Sequence, residues 1–82
     1  MAAWIEKAYR ASLEGSTVVM LIPARTDTAA FHDYIFPHAA EIVFIRGRLR
    51  FGGSNAGAPF PSVVVRFGGP YVGMRAAREE DL

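Results

Sequence analysis

The spacing of hydrophobic residues changes along the chain, and each spacing predicts a different element. From Ala2 to Leu13, apolar residues recur at intervals that form one stripe of a helix, and Gly15 is a suitable residue to end it. Thr17 to Ala24 is an unbroken apolar run rich in β-branched residues. Its length favours a strand that is buried on both faces of a sheet.

A second helix is predicted after this strand, ending at about Phe36. The candidates for its N-terminal cap are Thr26, Asp27 and Thr28. Its apolar face is predicted to consist of Phe31, Tyr34 and Ile35. Pro37 is expected to end the helix, because the residue before a proline avoids the helical region.

Two further strands are predicted in the second half of the chain. Glu41 to Phe51 is a long strand candidate that alternates strictly between basic and non-basic residues from Arg46 onward. A loop rich in glycine and proline follows at Gly52 to Pro61, and Ser62 to Phe67 is the next strand. Because only a short loop separates them, these two strands are expected to pair antiparallel.

The order helix, strand, helix, strand, strand predicts an α/β fold with about three strands and two main helices. A helix between two strands favours a right-handed crossover and a parallel pair, with the last strand antiparallel to its neighbour. With 82 residues, the chain is expected to form one small domain, residues 1–82. Residues 68–73 are predicted to be a loop, and residues 74–82 a polar tail or a short frayed helix.

Composition narrows the possible classes of function. Hydrophobic residues make up 51% and charged residues 21%, a balance typical of globular proteins. A net charge of +1 excludes an acidic DNA mimic and a strongly basic histone-like protein. The lack of cysteine excludes disulfides and thiolate metal sites. No apolar run reaches the roughly 18 residues that span a bilayer, so a cytoplasmic location without a membrane partner is expected.

Three long stretches cover most of the chain: WIEKAY (Trp4 to Tyr9), TVVMLIPARTDTAAFHDYIFPHA (Thr17 to Ala39), and EIVFIRGRLRFGG with APFPSVVVRF (Glu41 to Phe67). In content and order they resemble the C-terminal half of the phage-type DNA adenine methyltransferases, the Dam-like family. The resemblance implies a partial Rossmann-like methyltransferase fold. It also implies a phage or prophage protein that acts in a bacterial host.

The resemblance has consequences for activity as well. Family members carry an Asn-Pro-Pro-Tyr motif, upstream of the helix that begins here near Trp4, which holds the target adenine. A glycine-rich segment holds S-adenosylmethionine. Neither motif occurs in these 82 residues. Methyl transfer requires the donor in line with the adenine nitrogen, so we expect no catalytic residue, no bound cofactor and no activity of this chain alone.

Three hypotheses about function follow. The chain is the C-terminal part of such a methyltransferase, inactive alone, which retains DNA binding or is completed by a second polypeptide. Alternatively, it is a phage-borne inhibitor of a host defence complex, of the anti-restriction or anti-CRISPR type. The third hypothesis is a purely structural oligomer.

The alternating arginines are the strongest local signal for DNA binding. Arg46, Arg48 and Arg50 would project from one strand face at intervals of about 6.6 Å, close to the spacing of successive phosphates. The planar guanidinium group suits phosphate, and Arg25 at the end of the first strand could join the three. The alternative is a solvated face of an edge strand, whose charges oppose aggregation.

Two residues of the loop 52–61, Asn55 and Phe60, are candidates to contact a base. The resemblance implies this role for Phe60, because the corresponding loop of related amino-methyltransferases often supplies an aromatic residue that packs on the flipped base. The alternative is a hydrophobic plug between Pro59 and Pro61.

The remaining polar and aromatic residues predict no site. His32 and His38 are six positions apart, which does not match the spacing of metal-binding pairs on one helix, and no spacing links them to Asp27 and Asp33 in a hydrolytic site. No metal ligand is therefore predicted. The aromatic residues predicted to lie in the core are Trp4, Tyr9, Phe31 and Tyr34.

The strand at Thr17 to Ala24 also predicts a partner. In a full methyltransferase sheet this strand would have neighbours on both sides, whereas here one of its edges is expected to be open. An open apolar edge aggregates unless something covers it. We therefore expect a two-fold homodimer that pairs these edges or packs the first helices together.

Overall fold

The computed structural model describes residues 2–46 and 61–78, which form a mixed α/β unit. Its elements are α1 (Ala2–Leu13), β1 (Val18–Pro23), a π-helical segment (Phe31–Ile35) that continues as α2 (Phe36–His38), β2 (Glu41–Ile45), β3 (Ser62–Phe67) and β4 (Gly73–Ala77). The α/β class and the first helix are confirmed. Among the helices of these residues, none has the length and apolar content that crossing a membrane requires.

The sheet has the strand order β1-β3-β2-β4. Strand β3 runs antiparallel to both β1 and β2, so these two are parallel to each other but are not neighbours. The antiparallel pairing of β2 with β3 is confirmed, whereas the predicted direct pairing of β1 with β2 is wrong. The physical reason is burial: the central position suits the valine-rich β3, in which Val63 and Val65 are fully buried.

The fourth strand was not predicted. Gly73–Ala77 pairs parallel with β2, so the prediction of a tail or helix from Met74 onward is wrong for these residues, while the loop is confirmed for residues 68–72. The backbone N–H groups of Val72 and Gly73 both donate to the carbonyl of Ala40, at 2.8 and 3.0 Å. The free edge of β2 thus supplies hydrogen-bond partners that outweigh the weak strand propensity of the sequence GMRAA.

The second helical segment differs from the prediction at both ends. Phe36 is helical although Pro37 follows it, and its backbone N–H donates to the carbonyl of Phe31, five residues earlier. The segment continues to His38. Pro37 lies in the first turn of the short α2, where the N–H group that proline lacks is not required for a helical hydrogen bond. The predicted side-chain cap is also wrong for the described residues: Thr28 directly precedes the first helical residue, but its hydroxyl donates to the carbonyl of Arg25 at 2.8 Å instead of capping the helix.

Both helical segments pack on one face of the sheet and form the core with it. The largest fully buried side chains are Phe31, Phe67, Ile5, Ile35, Val63 and Val65. Phe31 is buried as predicted, and Tyr9 and Tyr34 pack partly buried against this cluster. Trp4 is 65% exposed, with the ammonium of Lys7 5.5 Å from its ring centre, so its predicted place in the core is wrong.

Strand β1 is covered on one face only. Val18, Met20 and Ile22 face the helices, whereas Val19 and Leu21 are 62% and 52% exposed on the opposite face. The prediction of a strand buried on both faces is therefore wrong. An unbroken apolar run cannot distinguish the two cases, because alternation is visible only when the outward residues are polar.

Candidate nucleic-acid interface

The carboxyl ends of three strands lie at one end of the sheet, because β1, β2 and β4 run in the same direction. In open α/β sheets, ligands bind outside these carboxyl ends. An arginine follows each strand: Arg25 after β1, Arg46 after β2 and Arg78 after β4. We call these three residues the arginine edge. With neighbouring strands about 4.8 Å apart, the strand ends that bear them extend over about 14 Å.

The backbone of Arg25 is held in a tight turn. Its carbonyl accepts from the backbone N–H of Thr28 at 3.2 Å and from the Thr28 hydroxyl at 2.8 Å. Its own N–H donates to the carbonyl of Pro23 at 2.9 Å. The exposed side chain lines a groove of about 420 Å³ between the start of α1 and the second helical segment. The other lining residues are mainly apolar: Ile5, Pro23, Thr28, Ala29, Ala30 and Phe31.

Arg46 and Arg78 border a second, shallower concavity. The backbone N–H of Arg46 donates to the carbonyl of Ala77 at 2.7 Å, which fixes the end of β2 against the end of β4. A groove of about 200 Å³ lies between Arg46 and Arg78, and Ala76 and Ala77 complete its lining. Both arginines are exposed. Across residues 2–46 and 61–78, the side chain of Arg46 makes no hydrogen bond or ion pair.

The opposite end of the sheet uses arginine differently. The Glu41 carboxylate accepts from Arg75 Nε at 2.9 Å and from Arg66 Nε at 3.4 Å. Arg66 also donates to the carbonyls of Gly68 and Pro70, the latter at 2.7 Å. The hydrogen bond from Arg75, supported by Arg66, lowers the pKa of Glu41 against the opposing effect of desolvation. Arg66 therefore holds the loop that leads into β4, and Arg75 links β4 itself to Glu41 at the start of β2.

The structure brings some of the predicted DNA-binding residues together. Arg25 and Arg46 both lie at the arginine edge, although β3 separates their strands. The prediction that Arg46 projects from a strand face is wrong, because β2 ends at Ile45 and Arg46 follows it. Arg48, Arg50, Asn55 and Phe60 lie outside the described residues. Arg78 was not predicted, because the residues before it were assigned to the polar tail rather than to a strand. Its only sequence signal is that it directly follows the short stretch that becomes β4.

The two histidines pack against different aromatic rings. His32 contacts Phe36 edge to face, with ring centres 5.5 Å apart, and His38 stacks on Tyr9 at 4.3 Å. In the part of the chain that the structure describes, no group of three His, Cys, Asp or Glu side chains is arranged to hold a metal ion. The geometry of these residues indicates a packing role for both imidazoles.

Comparisons with known proteins identify no relative of this chain. Neither protein-family models nor curated proteins nor solved structures gave a match to the chain. The functional interpretation therefore rests on the arginine edge and on the resemblance of the sequence stretches described above.

Proposed function

We propose that this chain is the DNA-binding, C-terminal part of a methyltransferase-like unit of the DNA adenine type. It binds the phosphate backbone through the arginine edge, and methyl transfer depends on a cofactor-binding half that is supplied from elsewhere. The observation that carries the proposal is the convergence of Arg25, Arg46 and Arg78 at the carboxyl ends of parallel strands.

The chemistry of the arginine edge suits phosphate. Guanidinium stays charged at all physiological pH values and binds phosphate oxygens through two parallel hydrogen bonds. Such contacts position a protein on DNA without reading its sequence. Glu41 lies with its two arginine partners at the other end of the sheet, whereas Asp27 follows Arg25 by two residues and three acidic residues follow Arg78 in the sequence. The local distribution of charge decides binding more than the sum does.

The strand directions also support the methyltransferase-like interpretation. The resemblance implies a partial Rossmann-like fold, and the order of the elements predicts two parallel strands joined by a helix and followed by an antiparallel strand. Strands β1 and β2 are parallel with the second helical segment between them, and β3 is antiparallel to both. This arrangement is compatible with the proposed origin, and it places the carboxyl ends of β1 and β2 at the same end of the sheet.

The DNA-binding part is tested by fluorescence anisotropy with an end-labelled duplex of 20 base pairs at 50 to 200 mM salt. The variant R25A/R46A is compared with R10A/R75A, which loses the same charge away from the arginine edge. If each lost arginine contacts one phosphate, the slope of log affinity against log salt becomes about 1.8 shallower in R25A/R46A, and the control keeps the wild-type slope. No DNA binding, or equal loss in both variants, would contradict the proposal.

The methyl-transfer part needs a separate readout. Incubation of the chain with labelled S-adenosylmethionine and adenine-containing duplex is expected to transfer no label, since these 82 residues lack the two motifs that the resemblance associates with the donor and the target base. Stoichiometric turnover by the chain alone would refute this part and leave the result on DNA binding unaffected.

A further inference from the structure

The outer edge of β1 offers hydrogen-bonding groups to a further strand. Among the strands of residues 2–46 and 61–78, β1 stands first in the sheet and pairs only with β3. The N–H of Ala24, just after β1, donates to the carbonyl of Pro61 on the β3 side at 2.9 Å. Since backbone groups alternate in direction along a strand, even-numbered residues bond β3, and Val19 and Leu21 direct their N–H and C=O groups outward.

The side chains of the same two residues form an apolar surface. Val19 and Leu21 are 62% and 52% exposed on the face without helices, and the strand VVMLIP contains no charged residue. Proteins usually protect an edge strand with charge, a bulge or proline, and β1 has only the proline at its last position. The opposite edge strand, β4, carries Arg75 in its centre.

We propose that the outer edge of β1 binds the same edge of a second copy of this chain, in antiparallel orientation, about a two-fold axis at Met20. In an antiparallel pair, residues that are directly opposite each other have their side chains on the same face of the sheet. The exposed side chains of β1 belong to odd-numbered residues. The exposed faces of the two copies therefore join only in a register that sets odd-numbered residues opposite odd-numbered ones. The axis at Met20 pairs Val19 of each copy with the partner's Leu21. Four backbone hydrogen bonds form, and the exposed side chains meet pairwise.

A second copy is the occupant that this edge fits best. A two-fold interface requires a surface that is complementary to itself, and β1 meets this requirement in hydrogen bonding, apolar character and absence of charge. The two four-stranded sheets would become one continuous sheet of eight strands. The proposal goes beyond the DNA-binding role and is compatible with it, because the two arginine edges point to opposite ends of the joined sheet.

The first experiment measures mass by light scattering during size-exclusion chromatography. The wild type is expected at about 18 kDa, twice the chain mass of 9.0 kDa. Val19→Lys is expected to give the single-chain mass, because it sets like charges at the shared edge. Val72→Lys is the matched control: it is the same exchange at a similarly exposed valine (56%) outside β1. A wild-type monomer, or the same mass for both folded variants, would overturn the proposal.

The second experiment tests the register and does not depend on a disrupted edge. The chain has no cysteine, so single cysteines report directly. In the proposed register the two copies of Met20 are opposite each other, with Cα atoms about 4.5 Å apart, within disulfide range. The two copies of Val18 are offset by four residues, about 13 Å. Under mild oxidation, Met20→Cys is expected to form a cross-linked dimer, whereas Val18→Cys is not. A cross-link in Val18→Cys but not in Met20→Cys, or no cross-link in either variant, would refute the proposed register.

These outcomes are distinguishable from those of the proposed function. One outcome is that the chain is a monomer by itself and that its β1 edge pairs only with a strand of a cofactor-binding polypeptide. This outcome would overturn the two-copy proposal and support the methyltransferase-like function. A dimer that ignores DNA would do the opposite. Circular dichroism of each variant establishes that it is folded before its mass is interpreted.

Discussion

The two ends of the sheet use the same residue type for different purposes. At the amino end of β2, Arg66 and Arg75 bind Glu41, and Arg66 also holds the carbonyls of the following loop. At the carboxyl end, Arg25 and Arg46 line open grooves. The arginines of the amino end bind a carboxylate and the carbonyls of a loop, whereas those of the carboxyl end border two surface grooves.

The amino end nevertheless contributes to the function proposed for the other end. The ion pair of Glu41 with the exposed Arg75 contributes little to stability by itself, and the pair with Arg66 is partly buried. Their effect is positional: Arg66 fixes the loop at residues 68–70, and this loop leads into β4. The register of β4 in turn sets where Arg78 lies. Substitutions in the shared core, in the loop at residues 68–70 and at Glu41 can therefore separate the stabilisation of the fold from the binding of DNA.

The largest effect is expected from the core that both ends share. Phe67 is fully buried, and its ring centre lies 6.1 Å from that of Tyr9 on α1. Phe67→Ala leaves a cavity and is expected to cost about 3–5 kcal/mol, a large part of the stability of a small domain. Urea denaturation measures the loss. Tyr71→Ala, at an 82% exposed position, should change stability little, and a similar loss there would contradict the assigned core.

A smaller effect, confined to the amino end, is expected from the loop after β3. Gly68 has φ +89°, and a Cβ there would lie 2.6 Å from the backbone carbonyl oxygen of Ser16. Gly68→Ala is expected to cost about 1–3 kcal/mol from backbone strain, plus the displacement of that carbonyl. Gly15→Ala separates the two causes, since Gly15 also has a positive φ, +100°, but nothing lies within 4 Å of its Cβ position. Thermal unfolding should rank Gly68→Ala as the more damaging; equal shifts would exclude the steric contact.

The smallest effect concerns the charge of Glu41 and depends on pH. The pKa of Glu41 is lowered from its ordinary value near 4.5, chiefly by the hydrogen bond from Arg75. The ion pairs therefore stabilise the fold above about pH 4.5, and this contribution is lost as the pH falls through the lowered pKa. Glu41→Gln should unfold more easily than wild type at pH 7, with the difference shrinking toward pH 3.

The matched test of this pH effect is the same exchange in an Arg75→Ala background, where it should matter less. Urea midpoints at several pH values measure both. A difference between wild type and Glu41→Gln that does not depend on pH would contradict the assigned ion pairs. DNA affinity should not fall in Glu41→Gln, because Glu41 lies away from the arginine edge.

The local elements were more predictable than their assembly. Residue spacing predicted α1 correctly, and the runs at Glu41 and Ser62 predicted the existence of β2 and β3. The predicted extension of β2 through Arg46 was wrong, because the strand ends at Ile45. The position of β3 between β1 and β2 was not predictable from local pattern, since strand order depends on which edges are left to pair. For the same reason β4 was missed: GMRAA has weak strand propensity, and the free edge of β2 makes it a strand.

The candidate site was predictable only in part. Arg25 was singled out because it lies at the end of the first predicted strand, and Arg46 because it alternates with Arg48 and Arg50 within the predicted strand. In the structure Arg46 follows β2 instead, and the parallel directions of β1 and β2 bring the two residues to one end of the sheet. Arg78 required the missed strand. The exposure of Trp4, Val19 and Leu21 was also not predictable. An apolar residue has the same appearance in the sequence whether its face of the helix or sheet is packed or exposed.

The central claim is that DNA meets the carboxyl end of the sheet and not the amino end. Backbone amide NMR shifts during titration with a short duplex test this directly. We predict that the largest changes occur around Arg25, Thr28, Arg46 and Arg78, at about 50 mM salt, and that they diminish at 200 mM. Changes centred on residues 68–72 and Glu41, or no change at any concentration, would contradict it.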